Sequence, residues 1–156
     1  MYSLILTLTL QAMKKIFSLL IFILLCSIGS AQPMLFGDTS RTGVPFSKDP
    51  HVVKFEGRYL MYFSIPPYKN NPSSGWNIGI ATSKDGIHWE RISTEPFLRN
   101  GAEGEWNSSE SGHPHIFTDE DGRTYLFYQG NNSKGKHWYL SQKEVLWRGK
   151  KPYLKE

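Results

Sequence analysis

Four side chains in this sequence have types and settings suited to acid–base chemistry: Asp49, Glu110, His113 and His115. His113 and His115 flank Pro114, and an x-Pro-x spacing puts both imidazoles on the same side of an extended chain. Either ring can hydrogen-bond a hydroxyl or, when neutral, approach a metal ion. Two histidines alone do not complete a metal site, so none is assigned. Glu110 stands four residues before Pro114, in a loop whose other acids, Glu103 and Glu105, read as ordinary surface charges. Asp49 precedes Pro50, and an Asp-Pro pair by itself does no more than start a turn. It acquires chemistry only if the strand it opens begins at a cavity. Trp76 and Trp106 lie in polar, glycine-rich loops. An indole there either packs under the loop or offers a flat apolar face to a ligand.

These residues must be held by strands. PHVVKF and RYLMYFSI read as two strands joined by a Glu56-Gly57 turn, and the second is apolar at nearly every position from Tyr59 to Phe63. Such a run suits a strand covered on both faces. After the loop PPYKNNPSSG come WNIGIATS, a KDG turn and HWERIS. The second half repeats the order: PHIF, a glycine turn, RTYLFYQG, the NNSKGK turn, HWYLS and VLWRGK. Pro50-His51 recurs as Pro114-His115 at an offset of 64, and Gly57-Arg58 as Gly122-Arg123 at 65. Ser83 and Trp89 recur as Ser141 and Trp147, both at 58. Trp89, Trp138 and Trp147, within strands, are assigned to the core. A repeat of about 60 residues, each copy a four-stranded antiparallel meander, is the pattern of β-propeller blades. The expected sheets are 49–98 and 113–154, preceded by a loop over 32–48.

The chain has 156 residues, 14% of them aromatic, with 14 Gly and 9 Pro. That turn-rich, aromatic composition supports an all-β domain and excludes helical bundles and coiled coils. Residues 1–31 read as an exported leader with a short upstream extension. Lys14 and Lys15 lead into an apolar run of 13 residues, Ile16 to Ile28, and small residues precede Gln32. The run is short for a membrane span. The expected mature chain is therefore secreted or periplasmic and free of membrane. The single cysteine, Cys26, falls in the leader, so no disulfide framework or thiolate metal site is expected after it. Of 18 basic side chains two are in the leader, against 14 acids outside it, leaving a net charge of +2. That balance does not point to nucleic acid.

KDPHVVKFEGRYLMYFS resembles the first blade of the five-bladed propeller glycosidases, the superfamily that holds glycoside hydrolase family 43. GIATSKDGIHWER resembles the outer half of that blade, and GHPHIFTDEDGRTYLFYQG the opening of the next. The resemblance covers about 49–154. It does not select a family, since families 117, 130 and 32 share the architecture. Lys48 and His51 replace the residues that would flank Asp-Pro in the family 32 signature.

The resemblance implies an incomplete five-bladed propeller, with Asp49 at the mouth of a central cavity as general base. Hydrolysis with inversion needs that base and a carboxylic acid roughly 6.5–9.5 Å away. In family 43 the acid and a second, tuning Asp come from later blades, so Glu110 is the only acid candidate here. The implied activity is a secreted hydrolase of plant or algal oligosaccharides, of the arabinofuranosidase or xylosidase type, with His113, His115, Trp76 and Trp106 contacting sugar. No cofactor is implied. The alternatives are a non-catalytic carbohydrate-binding propeller and a family 130-like phosphorylase, in which phosphate replaces water.

Overall fold

A computed structural model describes residues 14–15, 33–132 and 136–156. Contacts divide the chain into residues 1–33 and 34–156. The expected leader lies outside the described residues, apart from Lys14 and Lys15, which are helical. Among the described residues no helix is long and apolar enough to cross a membrane.

Residues 34–156 carry two four-stranded antiparallel sheets, each a meander in chain order. The first comprises β1 (Lys48–Phe55), β2 (Arg58–Ile65), β3 (Asn77–Ser83) and β4 (Glu90–Arg91). The second comprises β5 (Glu110–Thr118), β6 (Thr124–Asn131), β7 (Trp138–Arg148) and β8 (Lys151–Leu154). Glu56 and Gly57 both take positive φ in the β1–β2 turn, at 46° and 78°. That two-residue geometry matches the strand twist, and glycine adopts it without a Cβ clash.

β2 shows why an unbroken apolar run forms here. Leu60 and Tyr62 face the second sheet and join Ile78, Ile80, Ile116, Leu126, Tyr128 and Val145 in one core. Met61, Phe63 and Ile65 face the other way, with Ala81, under Phe36 and Trp89. Phe36 meets the Phe63 ring edge-on at 5.1 Å. The segment before β1 is thus an ordered cover for one face of the first sheet, pinned by an ion pair between buried Asp38 and Arg91. The second sheet covers the other face. At the far ends of β1 and β7, Phe55 and Trp147 stack at 3.6 Å and close the seam. The opposite face of the second sheet leaves Phe117, Phe127 and Leu140 exposed.

The SKDGIHW run is a self-bonded turn. Ser83 Oγ donates to Asp85 Oδ1 at 3.0 Å and accepts from the Gly86 amide at 2.9 Å. The amides of Ile87 and His88 both donate to Asp85 Oδ1 at 2.8 Å. The hydrogen bond from the His88 ring, then those from the His88 and Ile87 amides, holds the Asp85 carboxyl well below the usual carboxylate range.

Two expectations for the second sheet are corrected. HWYLS and VLWRGK are not separate strands: β7 runs unbroken from Trp138 to Arg148, and KPYL forms the outer strand. The Ser/Trp match at an offset of 58 is therefore not structural. Tyr59 pairs with Ser83, while Thr124, its counterpart 65 residues on, pairs with Val145, so third strands correspond at 62. Nor is Trp138 in the core. It opens β7 at the rim, 51% exposed.

Candidate functional site

The two Pro-His pairs come together. β1 and β5 are each interrupted by a bulge, between Lys48 and His51 and between Gly112 and His115. The residue before each proline carries the strain: Asp49 has φ 53° and His113 has φ 52°. Left-handed backbone is uncommon outside glycine, and Asn, Asp and His tolerate it best. A following proline disfavours the right-handed helical region as well. Equivalent positions on the two inner strands then face each other. Asp49 is opposite His113, and His51 is opposite His115.

Asp49 Oδ2 lies 3.5 Å from His113 Nδ1 and 3.7 Å from Lys48 Nζ. This oxygen is buried and accepts no hydrogen bond. The other nitrogen of the same ring, His113 Nε2, lies 3.6 Å from Glu110 Oε1. Glu110 is only 6% exposed, unlike the surface acid its loop suggests, and its Oε2 accepts from Asn131 Nδ2 at 3.2 Å. The His113 amide donates to buried Ser64 Oγ at 2.9 Å, which ties the bulge of the second sheet to the first. One imidazole therefore stands between two carboxylates. Lys48, and His113 when protonated, bring positive charge to Asp49.

The other pair has different surroundings. The His51 and His115 rings meet edge-on at 4.2 Å. Burial, and then the neighbouring His115, lower the His51 pKa, with a backbone hydrogen bond at Ile116 opposing. His115 thus neighbours His51. Among the described residues no three His, Cys, Asp or Glu side chains cluster as metal ligands.

Trp76 sits where the first sheet meets the second. Its amide donates to Ser109 O at 3.1 Å, and its carbonyl accepts from the Ser111 amide at 2.9 Å. Lys48 Nζ lies 4.2 Å over its ring. Trp76 and Trp138 both line an open cleft of about 860 Å³, together with Glu110 and Asn131. The two tryptophans are separated by 62, the structural offset of the third strands, so they are equivalent positions of the repeat. That 62-residue match was present in the sequence and hidden by the coincidental one at 58. The cleft wall is fixed from behind: Asn77 receives a hydrogen bond from buried Arg41 at 3.1 Å and gives one to Asn100 at 2.9 Å. Trp106 is placed differently. It packs on Tyr128 at 5.9 Å and Tyr139 at 6.2 Å, beside a smaller recess of about 270 Å³.

No protein-family model matches the chain, and no curated protein matches it in sequence. Solved structures do. An endo-1,4-β-xylanase from Bacteroides thetaiotaomicron superposes with a TM-score of 0.58 at 21% identity, over 72% of this chain and 38% of that one. A family 43 glycoside hydrolase from Bacillus licheniformis gives 0.61 at 17%, over 80% and 24%. A family 117 glycoside hydrolase from the marine bacterium Zobellia galactanivorans gives 0.57 at 19%, over 72% and 39%. The chain thus spans about a quarter to two-fifths of each. Its two sheets are blades of the five-bladed propeller fold that these glycoside hydrolases share.

Proposed function

We propose, starting from that shared propeller fold, that this chain provides the first two blades of an exported glycoside hydrolase, with Asp49 as general base. The carrying observation is the placement of Asp49. It sits on a bulge of an inner strand, held in a left-handed conformation, with one carboxylate oxygen buried and free of hydrogen bonds. Asp49 would take a proton from water as the water oxygen attacks the anomeric carbon. The bond to the leaving oxygen breaks as that oxygen takes a proton from a carboxylic acid.

Glu110 enters the proposal as the partner of His113. It and Asp49 address opposite edges of one imidazole, which fills the space that a water and a sugar need between an acid and a base. The acid and its tuning carboxylate are assigned to blades outside this chain, in keeping with the two-fifths or less of each neighbour that it spans. His113 and His115 are proposed to border the sugar site, with Trp76 as a stacking surface. Trp106 is proposed as a more distant sugar contact through the smaller recess that it lines. The proposed substrates are plant or algal oligosaccharides cut at arabinofuranosyl or xylosyl bonds, outside the cytoplasm. Assay of the complete propeller on aryl α-L-arabinofuranoside and β-D-xyloside tests this. Release of free sugar supports hydrolysis. Sugar phosphate formed only with added inorganic phosphate would favour the phosphorylase reading, and binding without turnover the non-catalytic one.

A further inference from the structure

Glu110 is a buried carboxylate, and a buried charge persists only where a partner compensates it. Its place is fixed on both sides. It pairs with Asn131 across the second sheet and bridges to Trp76 of the first loop. Asn131 Nδ2 donates to its Oε2 at 3.2 Å, and its Oε1 faces His113 Nε2 at 3.6 Å. His113 is rigid at its root. Its φ is 52°, Pro114 follows, and its amide is tied to Ser64 of the other sheet. With the root held and the Nε2 edge turned to Glu110, the Nδ1 edge is left facing Asp49 Oδ2 at 3.5 Å.

Asp49 Oδ2 is the oxygen that most needs a donor, being buried without a hydrogen bond. Lys48 Nζ, at 3.7 Å, is a point charge on a flexible stem and is also drawn over the Trp76 ring. Ionised carboxylates only accept, so the imidazole is the directional donor between Glu110 and Asp49. Direction matters here. The terminal torsion of an aspartate is broad and nearly two-fold, so its oxygens exchange places unless one is held. A general base must keep one oxygen about 2.6–3.2 Å from the water that it activates.

We infer that Glu110 positions the base through His113: Glu110 sets the imidazole, the imidazole holds Asp49 Oδ2, and Oδ1 is thereby turned to the water. The role of Asp49 as base rests on the hydrolase reading; the coupling of the three side chains does not. Glu110 and His113 are positioning residues, since neither exchanges a proton with the reacting atoms.

Carbon-13 NMR of this chain, labelled at the aspartate carboxyl, reads the coupling without turnover. The Asp49 resonance should move on Glu110→Gln and on His113→Asn, and adding Glu110→Gln to His113→Asn should move it no further. Gln keeps an acceptor for Asn131, and Asn tolerates left-handed backbone, so both should retain the parent circular dichroism. If one variant fails to fold, the resonance of the other decides. In the complete propeller each variant should lower kcat about 10- to 100-fold with KM within about threefold, and the double variant should fall no lower than the worse single. An Asp49 resonance indifferent to both residues, losses that multiply in the double variant, or a loss confined to KM would overturn the inference. Asp49→Asn without turnover beside Glu110→Gln at full kcat would sink this inference alone. No turnover by the complete propeller, with an Asp49 resonance that follows Glu110 only while His113 is present, would sink the hydrolase reading alone.

Discussion

Leu126 and Phe117 lie on neighbouring strands of the second sheet, yet their truncation should have very different costs. Leu126 is fully buried in the core shared by both sheets, whereas Phe117 is 47% exposed on the open face. Leu126→Ala removes buried methyl groups and leaves a cavity between sheets that cannot collapse independently. A loss of about 2–5 kcal/mol is expected. Phe117→Ala forfeits only an edge contact with Phe127 at 6.4 Å. A cost under about 1 kcal/mol follows. Against a total stability of about 5–15 kcal/mol, the first change is large. Urea unfolding followed by circular dichroism and by tryptophan fluorescence is the assay. Trp89 reports the first sheet and Trp147 the seam, so the Leu126 variant should shift one common transition. Equal losses for the two variants, or a second sheet that unfolds while the Trp89 signal stays native, would refute the shared-core account.

Backbone and titration give three further tests. Asp49→Val and His113→Val each place a β-branched residue at a φ near 50°, and should lose about 1–2 kcal/mol or more; Asn at either position should lose much less, as read by thermal melts. A Cβ at Gly130 would stand 2.7 Å from Trp106 and 2.8 Å from the Glu110 carbonyl oxygen, so Gly130→Ala should cost about 1–3 kcal/mol in the same assay. His51 has a folded pKa below its ordinary 6.5, so the unfolded chain takes up the proton first. Its contribution to stability is complete above about pH 6.5 and is lost as pH falls through the lower folded value. His51→Gln should flatten the dependence of Tm on pH between about 7 and 5.

The sequence was informative where one physical constraint dominated. The apolar run of β2 announced a strand covered on both faces, and the alternation of Leu60, Tyr62 against Met61, Phe63 is what those two covers require. The Pro-His repeat at 64 marked a real equivalence, because the same bulge recurs in β1 and β5. The later repeat misled. Ser141 and Trp147 fall within β7, since nothing between Ser141 and Val145 interrupts pairing with β6. That wrong register hid the Trp76–Trp138 equivalence and put an exposed rim tryptophan into the core. Glu110 was illegible for a different reason. Its neighbours Glu103 and Glu105 are exposed, and only the tertiary placement of His113 and Asn131 makes its carboxylate a buried one. No local pattern encodes that contact.

The central claim is that Asp49 acts as the base of a sugar-cleaving site that these two blades begin but do not complete. The most direct measurement compares turnover of aryl α-L-arabinofuranoside and β-D-xyloside by three proteins: this chain alone, the complete propeller, and the complete propeller with Asp49→Asn. Asn retains the left-handed backbone and the shape of the side chain while removing the proton acceptor. The account predicts no turnover by the chain alone, turnover by the complete propeller, and a loss of about 10²–10⁴ in rate for Asp49→Asn with Tm little changed. Activity of the Asp49→Asn protein within tenfold of the parent, or turnover by the isolated chain that depends on Glu110, would contradict it.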